Sequence, residues 1–133
     1  MYSKTFEATV RHQPSVSIVD LRGEITIDAE AMLNDAYTEA EARGLDVILL
    51  NFNDVGYISS TGVALIVSLI ARARKHHRRL LACGLNDHYV EIFQFTRLID
   101  FLNIFPDETS ALAQEFILQR EREITNGKST SRR

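Results

Sequence analysis

The feature that most constrains the fold is a nearly continuous apolar run at residues 46–52 (DVILLNF). A strand this apolar cannot face water on one side, so it is typical of a parallel sheet covered by helices. After Asn53-Asp54 comes a predicted loop, residues 55–59, and then an apolar helix predicted from Thr61 to Lys75. The pattern therefore indicates a strand–loop–helix unit of an α/β protein.

The same alternation extends along the chain. Strands are predicted over residues 5–10, 15–21, 46–52, 80–84 and 103–105, and helices after Asp28, from Thr61, after Asn86 and after Asp107. The first two strands are expected to pair as a hairpin, and the strand–helix–strand units imply parallel pairing with right-handed crossovers. We therefore expect an α/β fold with a mixed sheet of four to five strands and about four helices, mainly on one face.

Apolar residues at helical spacing predict which side chains enter the core. They are Met32, Leu33, Ala36, Tyr37 and Ala40 in the first helix, Val63, Ile66, Val67, Ile70 and Ala73 in the second, and Leu112, Phe116 and Ile117 in the last. The second helix is apolar over a wide arc, which leaves open whether Leu65 or Leu69 protrudes towards a partner. Most phenylalanines are expected in the core, but an exposed patch between Arg97 and Leu102 that serves a homodimer or another partner is left open.

The length of 133 residues fits one domain. Residues 1–123 are expected to form it, whereas the polar segment 124–133 (ITNGKSTSRR) is expected to be a disordered basic tail. The net charge of −3, which becomes −6 without that tail, argues against nucleic-acid binding. The basic run at residues 72–79 lacks interleaved aromatic residues and is interpreted as a solvated face.

Several function classes are disfavoured by absent motifs. A single cysteine, Cys83, cannot form an internal disulfide and is expected to be a small core residue. We expect no metal and no cofactor, because no ligand-spaced His/Cys pairs and no P-loop occur. No apolar run is long enough to span a membrane and no secretory signal is visible, so a cytoplasmic protein is expected. A serine hydrolase remains an alternative, but neither Ser59 nor Ser60 fits the nucleophile-elbow spacing, so we expect no enzyme activity.

The residues Ser60-Thr61-Gly62 stand where the second helix is expected to begin. In a purely structural interpretation, a hydroxyl caps the helix and the glycine permits close packing. In a functional interpretation, the same helix end favours a phosphate, because its N–H groups are unpaired and the helix dipole is positive there. Both interpretations are open on the residues alone.

The stretch 50–63 (LNFNDVGYISSTGV) resembles the signature of STAS domains, the family that includes bacterial anti-sigma factor antagonists. The resemblance continues through residues 80–85 and 96–98 to 105–112, and covers roughly residues 5–118. It implies a STAS-like fold and a phospho-regulated switch in signal transduction and transcription regulation. Such an antagonist binds an anti-sigma serine kinase, is released when that kinase phosphorylates it, and is reset by a metal-dependent serine phosphatase.

Carried over by position, the resemblance makes Ser60 the phosphorylated residue. The expected partner-binding residues are Asp54, Ser59, Thr61, Gly62, Leu65 and Arg97. The family often has Asp where this chain has Ser59, and Gly where it has Arg97. The alternative function is a constitutive STAS scaffold subunit of an ABC transporter or stress-signalling assembly, in which Ser60 only caps the helix.

Overall fold

The structure is a computed structural model that describes residues 5–131, and the side chains of residues 5–125. Its strands are β1 (Glu7–His12), β2 (Ser17–Ile25), β3 (Val47–Ile58), β4 (Arg79–Cys83) and β5 (Asn103–Phe105). Its helices are α1 (Glu30–Glu41), α2 (Ser60–Lys75), α3 (Asp87–Phe95) and α4 (Glu108–Ser131). Two 3-10 turns, Ile27–Ala29 and Leu98–Asp100, precede α1 and β5.

The five strands form one mixed sheet in the order β1-β2-β3-β4-β5. β1 is antiparallel to β2, and every other neighbouring pair is parallel. The expected fold class, the opening hairpin and the parallel crossovers are therefore confirmed. Asn86 and Asp107 also cap α3 and α4 as expected, each accepting a hydrogen bond from a backbone N–H three residues later.

The apolar run in β3 is explained by cores on both faces of the sheet. Ile48 and Leu50 face the larger core, which α1, α2 and α3 cover, whereas Val47 and Leu49 face a smaller core beneath α4. Cys83 lies in the smaller core as a small buried residue. Burial raises the pKa of its thiol to about 12. Three helices thus lie on one face and α4 lies on the other.

β3 is longer than the sequence pattern indicated. The expected loop at residues 55–59 is wrong, because β3 continues to Ile58 and pairs with β2 as far as Ile25. The pairing has two register shifts, between Asp20 and Arg22 and between Gly23 and Glu24 of β2. They let β3 stay paired through the polar residues and the glycine that interrupt its apolar pattern. The strand therefore delivers the chain directly to the first turn of α2.

Several expectations about individual side chains are wrong. Asp28 does not cap α1; instead Thr26 caps the preceding turn, accepting a hydrogen bond from the Asp28 N–H. Five residues expected in the core are exposed: Met32, Val67, Phe95, Phe116 and Ile117. The sequence left open whether Leu69 protrudes; it is buried, because the stripe of α2 that faces the sheet runs through Ile66, Leu69, Ile70 and Ala73.

α4 extends to Ser131, and so into the segment 124–133 for which the sequence predicts disorder. The domain boundary at residue 123 stays a prediction, and residues 132–133 lie outside the described residues. Within residues 5–131, no helix has both the length and the apolar character that a membrane span needs.

Ion pairs attach α4 to the sheet. Both carboxylate oxygens of Glu115, which is 2% exposed, accept hydrogen bonds from Nη1 of Arg79 at 2.6 and 2.5 Å. Near the start of α4, the Arg11 guanidinium on β1 bridges Asp20 and Glu108. A buried carboxylate without its partner is costly, so the Arg79–Glu115 pair ties α4 to β4. The more exposed Arg11 pairs add a contact between α4 and the first two strands.

The substitution Arg79→Ala is expected to lower the free energy of unfolding by about 2 kcal/mol, because it leaves the Glu115 carboxylate buried and unpaired. This is below the usual cost for a fully buried pair, because a third of the Arg79 side chain reaches solvent. Arg22→Ala is the matched control, since Arg22 pairs with Glu7 at the surface. Chemical denaturation measures both, and equal losses for the two variants would contradict the prediction.

Stability is also expected to depend on Asp20 at acid pH. The hydrogen bond from Arg11 holds the pKa of Asp20 below its usual value of 3.8. The resulting stabilisation is complete above that value and is lost as the pH falls through the lower pKa of the folded state. Between pH 5 and pH 3, Asp20→Asn should therefore lose less stability than the wild type. Arg11→Met should flatten the profile in the same way, and unchanged slopes in both variants would refute the assignment.

Candidate functional site

The junction between β3 and α2 is built around Ser59. Ser59 is extended, with φ −76° and ψ 171°, and is the N-cap of α2. Its hydroxyl oxygen accepts a hydrogen bond from Gly62 N at 3.0 Å, and its carbonyl accepts one from Val63 N at 2.9 Å. Ser59, not Ser60, therefore caps the helix, since it accepts from the N–H groups of Gly62 and Val63.

The same junction is anchored to the end of β2. The Ile25 carbonyl oxygen accepts hydrogen bonds from Ser59 N at 2.9 Å and from the Ser59 hydroxyl at 3.3 Å. Gly62 packs against this carbonyl so closely that a Cβ would lie 2.1 Å from the oxygen. Only glycine fits there, so the first turn of α2 lies directly against the end of β2.

Ser60 is the first residue of α2 and is exposed, as is Thr61. Within the described part of the chain, neither hydroxyl makes a hydrogen bond, and the N–H groups of these two residues have no acceptor. The first turn also contains no acidic residue. The positive end of the helix is therefore available to a negatively charged group attached at Ser60.

A residue that the sequence analysis missed completes the junction. The Tyr89 hydroxyl on α3 accepts a hydrogen bond from Ile58 N at 2.8 Å, and both residues are nearly buried. In the sequence, Tyr89 is one more apolar position of an amphipathic helix, and no motif distinguishes it.

Exposed apolar side chains also lie next to the junction. Ile27 is 56% exposed on the turn that follows β2 and contacts α2, and Tyr57 is 47% exposed three residues before Ser60. Neither was singled out from the sequence, because a strand or turn residue of this type is usually buried. An apolar surface next to an exposed hydroxyl is suited to protein binding.

The structure brings together some of the expected site residues and separates others. Ser59, Ser60, Thr61 and Gly62 form the first turn of α2 and its cap, with Gly62 buried beneath the surface. The others lie outside that turn: Asp54 is exposed on β3, and Leu65 is half-buried further along α2.

Arg97 lies two residues beyond the C-terminal end of α3, before the turn Leu98–Asp100. It has a φ of +66° and forms an ion pair with Asp100 at 3.0 Å. Because glycine adopts this left-handed conformation without strain, the backbone explains why a glycine suits the position.

Within residues 5–131, no group of three or more His, Cys, Asp or Glu side chains is arranged to hold a metal ion. The four arginines of the basic run make contacts within the fold. Arg72 and Arg78 both pair with Glu41, and Arg74 lies over the Phe101 ring at 4.6 Å. The described residues thus present the β3–α2 junction as the candidate site.

Comparison with known proteins places the chain in a family. The family model for the STAS domain matches residues 7–111, so the chain belongs to the STAS domain family. The chain is 26% identical over 86 residues to the anti-sigma-B factor antagonist of Staphylococcus aureus, covering 65% of this chain and 80% of that protein.

Solved structures share the fold. An anti-sigma factor antagonist from Mycobacterium paratuberculosis superposes with a TM-score of 0.72 at 17% identity, covering 83% of this chain and 93% of that one. The anti-sigma factor antagonist SpoIIAA in its unphosphorylated form gives a TM-score of 0.64 at 18% identity, covering 83% and 95%. The Bacillus cell fate determinant SpoIIAA in its phosphorylated form gives 0.62 at 19% identity, covering 83% and 98%.

Substitution Gly62→Ala is expected to destabilise the protein by about 3 kcal/mol, because the added methyl group overlaps the Ile25 carbonyl and the backbone must move. Gly56→Ala is the matched control: a Cβ at Gly56 meets no atom within 4 Å. Thermal or chemical denaturation of both variants provides the measurement. If Gly62→Ala is as stable as Gly56→Ala, the close approach of α2 to β2 is wrong.

Proposed function

We propose that this protein is a phospho-regulated binding switch that acts as an anti-sigma factor antagonist. In its unphosphorylated form it binds an anti-sigma serine kinase, and phosphorylation of Ser60 by that kinase releases it. The observation that carries the proposal is the difference between two adjacent serines. Ser59 uses its hydroxyl to cap α2, whereas the Ser60 hydroxyl is exposed and unengaged by the described residues.

The geometry explains how such a switch acts without unfolding the domain. A phosphoserine adds about −1.5 to −2 charges at neutral pH. At residue 60 this charge lies at the positive end of α2, where free N–H groups stabilise it. Since Ser59 and not Ser60 holds the cap, the modification leaves the hydrogen bonds of the junction in place.

The surface next to Ser60 supports an interface with a protein. Ile27, on a turn that contacts α2, and Tyr57, three residues before Ser60, offer exposed apolar area. We propose that both contact the kinase, together with Asp54, Thr61 and Leu65. A phosphate at the centre of such a contact is desolvated when the partner binds, and an unpaired buried charge costs several kcal/mol.

The remaining chemistry of the cycle belongs to the partners. The kinase supplies the nucleotide and a metal-dependent serine phosphatase removes the phosphate, so this chain acts as a binding protein and substrate rather than as an enzyme. The relatives named anti-sigma factor antagonists support this assignment. In this proposal Ser59 and Gly62 fix the first turn of α2 against the Ile25 carbonyl and do not contact the partner.

The test is phosphopeptide mapping of the protein purified from its own cells during growth and under stress. Wild type and Ser59→Ala are expected to carry phosphate on residue 60, and Ser60→Ala is expected to carry none there. Ser59→Ala should also lose about 1 kcal/mol of stability through the lost cap, whereas Ser60→Ala should stay within about 0.5 kcal/mol of wild type. Absence of phosphate from Ser60 in every condition, with that peptide detected, would favour a constitutive scaffold.

Charge at Ser60 should weaken binding to the kinase that phosphorylates it. We expect Ser60→Asp to raise the Kd at least about tenfold, which corresponds to about 1.4 kcal/mol. Ser68→Asp is the matched control, because it adds the same charge to an exposed position two turns further along α2. Titration calorimetry compares the two variants. If Ser60→Asp binds as tightly as Ser68→Asp, release does not depend on charge at the helix start.

A further inference from the structure

Tyr89 connects α3 to the backbone just before the proposed phosphorylation site. Its hydroxyl accepts a hydrogen bond from Ile58 N, and Ile58 precedes Ser60 by two residues. Tyr89 is 6% exposed and Ile58 is 4% exposed, so water does not compete freely for this bond. A side chain from another element therefore satisfies the N–H of the last β3 residue, where an unpaired buried group would be costly.

The junction is consequently held from two sides. On one side, the Ile25 carbonyl at the end of β2 accepts hydrogen bonds from both the N–H and the hydroxyl of Ser59. On the other side, Tyr89 holds Ile58, and the Tyr89 N–H is itself bound by the Asn86 cap of α3. A displacement of the junction on the α3 side must therefore be accompanied by a change at the first turn of α3.

We propose that Tyr89 is a positioning residue for Ser60, which fixes the start of α2 against α3 and couples α3 to a charge added at Ser60. The inference rests on the proposed function only in taking Ser60 as the residue that acquires charge. A negative group there attracts the N–H groups of Ser60 and Thr61, which have no acceptor among the described residues. This attraction pulls on the backbone of the first turn, and the pull reaches Ile58 and, through the hydrogen bond from its N–H, Tyr89.

The coupling matters because α3 leads to a second exposed apolar surface. Phe95, at the last position of α3, is 92% exposed, and Phe101, shortly after it, is 47% exposed. Through the buried residues Ile58 and Tyr89, the state of Ser60 reaches this end of the molecule. Coupling of this kind requires a physical link between two elements, and the Tyr89–Ile58 bond provides one.

The experiment measures backbone amide exchange of the full chain by NMR and needs no kinase. Ser60→Asp supplies the charge, and it is introduced into the wild type, into Tyr89→Phe and into Phe93→Leu. Tyr89→Phe removes one oxygen atom and keeps the ring. Phe93→Leu is the matched control, because Phe93 is a fully buried α3 residue whose truncation loosens packing but leaves the Tyr89 hydroxyl in place.

In the wild type and in Phe93→Leu, Ser60→Asp is expected to change exchange rates in α3 by about threefold or more. In Tyr89→Phe, the same charge should leave the α3 rates unchanged, while amides at residues 59–63 exchange about tenfold faster than in the parent protein. Equal responses of α3 to the charge in the wild type and in Tyr89→Phe would overturn the proposal. So would the absence of any α3 response in the wild type.

The outcome is independent of the test of the proposed function. If cells never phosphorylate Ser60 but the exchange experiment succeeds, the positioning role of Tyr89 stands and the switch does not. If Ser60 is phosphorylated but α3 does not respond, the switch stands and the coupling through Tyr89 fails.

Discussion

The carbonyl oxygen of Ile25 is the interaction on which the functional end of this domain depends. It ends the parallel pairing of β2 with β3, and it accepts the hydrogen bonds that turn the chain into α2. The missing side chain of Gly62 lets the helix approach it, since a Cβ there would lie 2.1 Å away. Because the helix start is fixed by backbone groups of the sheet, the side chains of Ser60 and Thr61 are left exposed and free of structural tasks.

A second constraint comes from the two faces of the sheet. β3 alternates between a core under three helices and a smaller one under α4, so neither face can be left open to water. The smaller core has fewer residues than the larger one, and the Arg79–Glu115 and Arg11–Glu108 pairs also attach α4 there. α4 is thus held by Ala111 and Leu112 in the smaller core and by these ion pairs, while Phe116 and Ile117 remain exposed.

The sequence predicts the element order, the mixed sheet and, to within one residue, the start of α2, because these follow from apolar periodicity and from the strand–helix alternation. The sequence-based prediction is wrong where a tertiary contact determines the length of an element or the burial of a side chain. β3 runs through Asn53, Asp54 and Gly56 because β2 pairs with it, which no local pattern reveals. Phe116 was expected inside because it follows helical spacing, yet the position that faces the sheet is taken by Glu115, whose partner lies on β4.

The site itself divides in the same way. The Ser-Thr-Gly motif and the resemblance to STAS domains locate the junction, but local sequence does not say which serine caps the helix. That depends on where β3 ends, which is set by Ile25. Local sequence does not reveal Tyr89 and Ile27, because their roles depend on tertiary contacts. Tyr89, for example, contacts Ile58, which lies 31 residues earlier in the chain.

The separation of roles between two neighbouring serines has a thermodynamic consequence. If one hydroxyl both capped the helix and received the phosphate, each modification would cost the stability of the cap, about 1 kcal/mol in a domain whose total stability is only about 5–15 kcal/mol. With Ser59 holding the cap, charge at Ser60 changes the surface while the fold keeps its hydrogen bonds. A cycle of modification and removal then alternates between two binding states of one folded structure, which is the requirement for a reversible switch.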